Sequence, residues 1–144
     1  MKINIFTAAD YVDASNGKLT IVNAFDNIEL DVVPIIFKPF GIAIKAMCEI
    51  KDRGKIYKGE IVFRRILSEK PIIKVPIGIK FPSGPHKKIW SVVLGINIVG
   101  TKLDSFGKYV LELKIRDKVI SAIKLRVIHK APVAKTVETT KKKG

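Results

Sequence analysis

Cysteine is nearly absent from this 144-residue chain: Cys48 stands alone, so no disulfide can form within it. Secreted domains built on disulfide staples are thereby excluded. Histidine is almost as scarce, with only His86 and His129, which leaves little for acid–base catalysis. No Walker loop, dinucleotide fingerprint or Cys/His zinc spacing occurs. Long apolar runs are missing too. The uncharged segment IWSVVLGINIVG (Ile89–Gly100) falls short of the roughly 18 residues a membrane span needs. The start, MKINIFTAAD, brings in Lys2, Asn4 and Asp10, where a signal peptide would hold an unbroken apolar stretch. These absences predict a cytoplasmic protein with no membrane span and no cofactor.

Acidic residues are also few, 13 against 27 Lys and Arg, for a formal charge of +14. The imbalance is uneven. Residues 1–31 carry a local −3, the last fifteen from Lys130 carry +4, and the middle holds +13. Such a distribution can steer an anionic partner such as nucleic acid. It also serves a plainer end, because lysines keep the exposed faces and edges of strands solvated.

What the chain does have is β-branched apolar residues within a 47% hydrophobic composition. These lose less side-chain freedom on a pleated surface than on a helix. Period-2 alternation recurs along the chain, and no window of useful length shows a helical period. Lys2–Ala8 and Lys18–Phe25 read as strands, the second with Leu19, Ile21 and Phe25 on one face and Asn23 interrupting it. Phe40 to Ile50 alternate cleanly, and "KDRG" leads into Tyr57–Leu67. An Arg53-Gly54 closure would set Ile50 opposite Tyr57, Ala46 opposite Ile61 and Ile44 opposite Phe63, so the register predicts a hairpin. Val75–Phe81 carries Pro76, the mark of an edge strand. The strand from Trp90 to Ile98 has an uncharged second face (Ser91, Val93, Gly95, Asn97, Val99), which implies either a central strand or an interface surface. Tyr109–Ile115 and Val119–Val127 form a closing hairpin through the three-residue loop Arg116–Lys118. About eight short, mostly antiparallel strands predict an all-β fold, a single β-sandwich over residues 1–129. Residues 130–144 read as a basic, disordered tail.

Two stretches carry a resemblance. "LDSFGKYVLELKI" (Leu103–Ile115) resembles the approach to the penultimate strand of immunoglobulin-like sandwiches. There Asp104, Gly107 and Tyr109 would fill the places of a tyrosine corner, whose hydroxyl bonds upstream backbone. The chain to about Val127 also resembles a family of small bacterial all-β proteins known only as a domain of unknown function. The matching residues are Asp10-Tyr11, Gly17-Lys18-Leu19, Ile21, Phe25-Asp26-Asn27-Ile28, and the Gly107, Tyr109 hairpin. The chain departs from that outline at Asn23, where a small residue, often Gly, is usual, and at Arg116-Asp117-Lys118 in place of Asp-Gly. The resemblance implies the fold and supplies no activity.

Chemistry is thin. Asp10, Asp13 and Asn16, or Asp26, Asn27, Glu29 and Asp31, offer oxygen ligands of the kind Ca²⁺ takes. Their spacing matches no EF-hand loop, and an extended strand holds the two clusters roughly 25 Å apart. Turn formation by Asp13, Asn16 and Gly17 accounts for the first cluster without an ion. His86 has Ser83 nearby but no orienting acid, and Cys48 reads as a buried small hydrophobe. The expectation is a non-enzymatic binding or assembly module, its partner a protein, either another copy or a different chain. The alternative is a basic nucleic-acid-binding protein using phosphate contacts from Lys74, Lys80, Lys87 and Lys88.

Overall fold

Asn16 and Gly17 both take positive φ, 54° and 72°, the two-residue closure that suits the twist of antiparallel strands. They join β1 (Lys2–Ser15) to β2 (Lys18–Phe25). The computed structural model describes residues 1–84 and 90–130. Within these follow β3 (Asn27–Leu30), β4 (Ile35–Ile36), β5 (Phe40–Met47), a 3-10 turn (Ile50–Asp52), β6 (Ile56–Arg65) and β7 (Pro71–Lys80). The chain closes with β8 (Ser91–Ile98), β9 (Lys102–Leu103), β10 (Gly107–Ile115) and β11 (Lys118–His129). The described residues thus hold eleven strands, where eight were expected; the extra ones are the short β3, β4 and β9.

The strands form a four-stranded sheet ordered β2-β1-β5-β8 and a five-stranded sheet ordered β3-β11-β10-β6-β7, with β4 and β9 as a separate ribbon. Among the described strands, only β3 runs parallel to its neighbour, β11. Ile42 and Ile44 from the first sheet meet Ile61, Phe63, Leu111, Leu113 and Leu125 from the second in one buried core. The expected tail beyond Lys130 lies outside the described residues.

The hairpin expected at Arg53-Gly54 does not form. Strand β5 pairs with β1 and β8, while β6 pairs with β10 and β7 in the opposite sheet. The apolar faces of β5 and β6 matched in register because both look into the same core from opposite sides, which alternation cannot distinguish from pairing. At the last turn, Leu111 does face Ile123 and Tyr109 faces Leu125. The closure, however, has two residues, Arg116 and Asp117, both at positive φ. A register shift between Leu113 and Lys114 takes up the odd residue that the three-residue loop was expected to hold.

The first strand is also longer than the alternation up to Ala8 suggested, because the hairpin bends across the outer face of its own sheet. Val12 lies over Gly41 and Gly95: a Cβ added to Gly41 would stand 2.8 Å from Val12 Cγ2, and one added to Gly95 3.1 Å from Val12 Cγ1. Ala9, Val12 and Ala43 form a small second core there, flanked by Ile5, Leu19 and Ile21. Strand β2 therefore serves two cores. Leu19 and Ile21 pack on the outer one, and Phe25 packs edge-on against Phe37 and Phe40 in the main one. Asn23 sits between them at φ 54°, exposed, at a bend where a residue without Cβ would be least strained. Its side-chain amide donates to Asp10 Oδ2 at 3.1 Å.

Strand β8 is not central. It pairs with β5 alone among the described strands, and part of its uncharged face is covered by Val12 and Ala14 of the same chain.

Candidate functional site

Of the lysines expected to meet an anionic partner, two lie within the described residues. Lys74 and Lys80 share the outer face of β7, six residues and roughly 20 Å apart, and Lys74 lies 3.7 Å from Glu60. Lys87, Lys88 and His86 lie outside the described residues. His129, at the end of β11, sets its ring 5.6 Å from Phe106. Cys48 is buried, and burial pushes its thiol pKa up.

The two polar clusters at the start of the chain are closer than their separation along the strand implied. The long hairpin turns Asp10 back to Asn23, so Asp10, Asn23, Asn27 and Glu29 border one cleft of about 310 Å³ together with Lys38. Lys38 Nζ stands 3.2 Å from Asp10 and, with the Asn23 amide, holds that carboxyl below its usual range. A resident ammonium thus already pairs with the Asp10 carboxylate in this cleft. Among the described residues no group of three or more His, Cys, Asp or Glu is placed to hold a metal ion.

At one end of the sandwich, Asp52 is fully buried and accepts from the Met1 amine (2.6 Å), the Glu49 N–H (2.9 Å) and the Tyr57 hydroxyl. Burial works to raise its pKa, and these donors outweigh it, bringing the group down to about 2. The same hydrogen bond, with burial, pushes Tyr57 up to about 12. These bonds anchor the 3-10 turn to the chain start and to β6.

The opposite end is built differently. Arg64 and Glu112, 48 residues apart, meet through two hydrogen bonds of 3.1 and 3.2 Å on the outer face of the five-stranded sheet. The Arg64 Nη1 also donates to the carbonyls of Arg65, Ile66 and Ser68 at 3.3, 3.1 and 3.2 Å. One planar guanidinium thus ties the β6–β7 turn to the sheet, and Glu112 holds its pKa above the ordinary value. Beside that turn lies a cleft of about 350 Å³ lined by Arg65, Ser68, Lys70, Lys102, Asp104 and Tyr109 among others. A second cleft of about 410 Å³ shares Arg65 and adds Ile66, Leu67 and Lys108.

The aromatic floor of this end is Tyr109, fully buried, its ring stacked 5.4 Å from Phe63. Its hydroxyl donates to the Ser105 carbonyl at 2.7 Å, while Gly107 takes φ 136° and Asp104 sits exposed, 3.9 Å from Lys102. The Tyr109 bond ties the β9–β10 connection to the core beside the basic cleft.

Arg65 and Lys70 share one segment and Lys102 lies more than 30 residues further along the chain, and alternation alone could not group them. The available signal was local: in "RRILSEKP" the turn-forming Ser68-Glu69-Lys70-Pro71 run ends the strand before Leu67, which alternation had carried into it.

A family model matches this chain from residue 4 to residue 128. The chain belongs to the DUF6941 family. That family is described as being of unknown function, and its span takes in both sheets, from within β1 to one residue short of the end of β11. No curated protein matches the chain. Among solved structures, the β-glucosidase of Listeria innocua and its complex with isofagomine each give a TM-score of 0.50, at 7% and 6% identity. In both cases 90% of this chain is covered, against only 16% and 17% of the glucosidase chain. At that identity the likeness speaks for the fold alone.

Proposed function

We propose that this family member is a non-enzymatic, immunoglobulin-like assembly module of the cytoplasm, and that it pairs with a second copy through the edge of β8. The observation that carries the reading is that β8, eight residues long, ends its sheet among the described strands with no charged residue and no proline (SVVLGINI). The long edge of the other sheet, β7, is guarded by Pro71, Lys74, Pro76 and Lys80. An unguarded edge presents N–H and C=O groups to an incoming strand. Antiparallel self-pairing centred on Leu94 keeps both faces in phase, with Val92 opposite Ile96 and Val93 opposite Gly95. No charge opposes itself in that register.

Light scattering on the wild type and on Val93→Glu tests this. Val93 lies opposite Lys45 of β5, so the introduced carboxylate gains a cross-strand partner within the monomer. Two copies, however, would bring two such carboxylates close together across the dimer axis. The wild type is expected to be dimeric and the variant a folded monomer. A wild type that stays monomeric at high micromolar concentration would overturn the reading. Steeply salt-dependent binding of nucleic acid by that monomer would favour the phosphate-contact alternative.

A further inference from the structure

We propose that the end of the sandwich formed by the β6–β7 turn and the β4–β9 ribbon docks on the surface of an anionic lipid bilayer, with Leu67 inserted and Arg65, Lys70 and Lys102 set against headgroup phosphates. Leu67 is 99% exposed, and the turn bearing it is held by three hydrogen bonds from Arg64. A leucine at a fixed tip, fully in water, gains most by transfer to an apolar medium, because little ordering entropy remains to be lost.

The surroundings of Leu67 name that medium. Arg65 borders both clefts, and Lys70 and Lys102 share the first of them. Neither Arg65 nor Lys70 has a carboxylate partner among the described residues, whereas Arg64 just beneath is fully paired. Ile36, opposite Lys102 in the ribbon, is 59% exposed, and Val99, on the connection into β9, is 70% exposed. Lys102 keeps a loose, solvent-exposed contact with Asp104 at 3.9 Å; apolar side chains protruding among it and the unpaired Arg65 and Lys70 complement a phosphate layer over hydrocarbon. An acidic protein surface would satisfy the cations and leave Leu67, Ile36 and Val99 facing charge. Val99 adjoins the end of β8, but the residues substituted below, Leu67, Arg65 and Lys70, lie on the β6–β7 turn of the other sheet, so the test stands apart from dimerisation.

Cosedimentation of the full chain with vesicles of phosphatidylcholine, with and without phosphatidylglycerol, at near-physiological salt is the experiment. Partition is expected only where phosphatidylglycerol is present. Leu67→Ser should weaken it about tenfold without changing charge. Arg65→Ala and Lys70→Ala should each weaken it about fivefold. Lys80→Ala, an equal charge change on the outer face of β7, should leave it within about twofold. The proposal is overturned if the wild type ignores the anionic vesicles, or if Leu67→Ser partitions unchanged. It is equally overturned if Lys80→Ala weakens binding as much as Lys70→Ala, for then the net charge alone is acting. Binding of duplex DNA that Lys70→Ala weakens, without vesicle partition, would reassign the cations to nucleic acid.

Discussion

The wedge of Val12 over two glycines makes an unusual thermodynamic prediction, in which the sign of one substitution depends on another. Val12 is 6% exposed, so Val12→Ala removes two buried methyls at about 0.8 kcal/mol each, plus a cavity term, for a loss of about 2 kcal/mol. In the wild type, Gly95→Ala would place a methyl 3.1 Å from Val12 Cγ1. Val12 cannot retreat easily, since its other methyl is seated over Gly41. That overpacking costs about 1 kcal/mol. Once Val12 is alanine, the same methyl enters vacated space, its remaining contacts being about 3.5 Å to Ala14, and the Gly→Ala exchange in a strand gains about 0.5 kcal/mol. Gly95→Ala should therefore destabilise the wild type yet stabilise Val12→Ala, with a coupling of about 1.5 kcal/mol. Urea unfolding followed by the fluorescence of Trp90, the only tryptophan, measures all four corners of the cycle. Strictly additive effects, or a Val12→Ala cost near zero, would show that the hairpin does not pack across the sheet. The uncharged face of β8 would then be open along its whole length.

The anchor at Asp52 should govern acid stability. Its pKa falls from 3.8 to about 2 on folding. Its contribution of about 2 kcal/mol is therefore present above about pH 4 and is lost as pH falls toward 2. Asp52→Asn should cost about 3 kcal/mol near neutrality, by leaving the Met1 amine and Tyr57 facing a neutral amide, and should flatten that acid limb relative to the wild type. Parallel acid limbs in denaturation profiles of the two proteins would refute the assignment. Tyr109→Phe keeps the stacked ring on Phe63 and removes the hydroxyl that donates to the Ser105 carbonyl and lies 3.3 Å from Ser105 Oγ, a loss of about 1 to 2 kcal/mol in chemical denaturation. No measurable loss would mean that this bond does not secure the β9–β10 connection.

Strand content, the edge position of β7 and the Tyr109–Leu125 register were all legible in the sequence, because alternation, Pro76 and positive-φ turn chemistry are local properties. The family outline was legible for the same reason, since short spaced residues such as Asp10-Tyr11 and Phe25-Asp26-Asn27-Ile28 carry it. The position of Asn23 was readable only as an interruption. Its meaning, a bend between two cores, needed the strand's neighbours. The sequence likewise showed how much positive charge there was but not where it gathers: Lys74 and Lys80 share a face, roughly 20 Å apart. Arg65, Lys70 and Lys102 gather only after β6 turns into β7 and β9 crosses beside them. The Arg53-Gly54 hairpin failed for a related reason. A period of two states which side of a strand is apolar but not which strand lies beside it. Two strands facing one core from opposite sheets carry the same pattern as two strands paired in one. Strand faces and the Asn16-Gly17 turn were determined by the chain itself, through sterics and burial acting over a few residues. Sheet membership, the covering of β8 by the first hairpin, and the basic end with its exposed leucine were decided only by tertiary structure, because each depends on contacts between segments tens of residues apart.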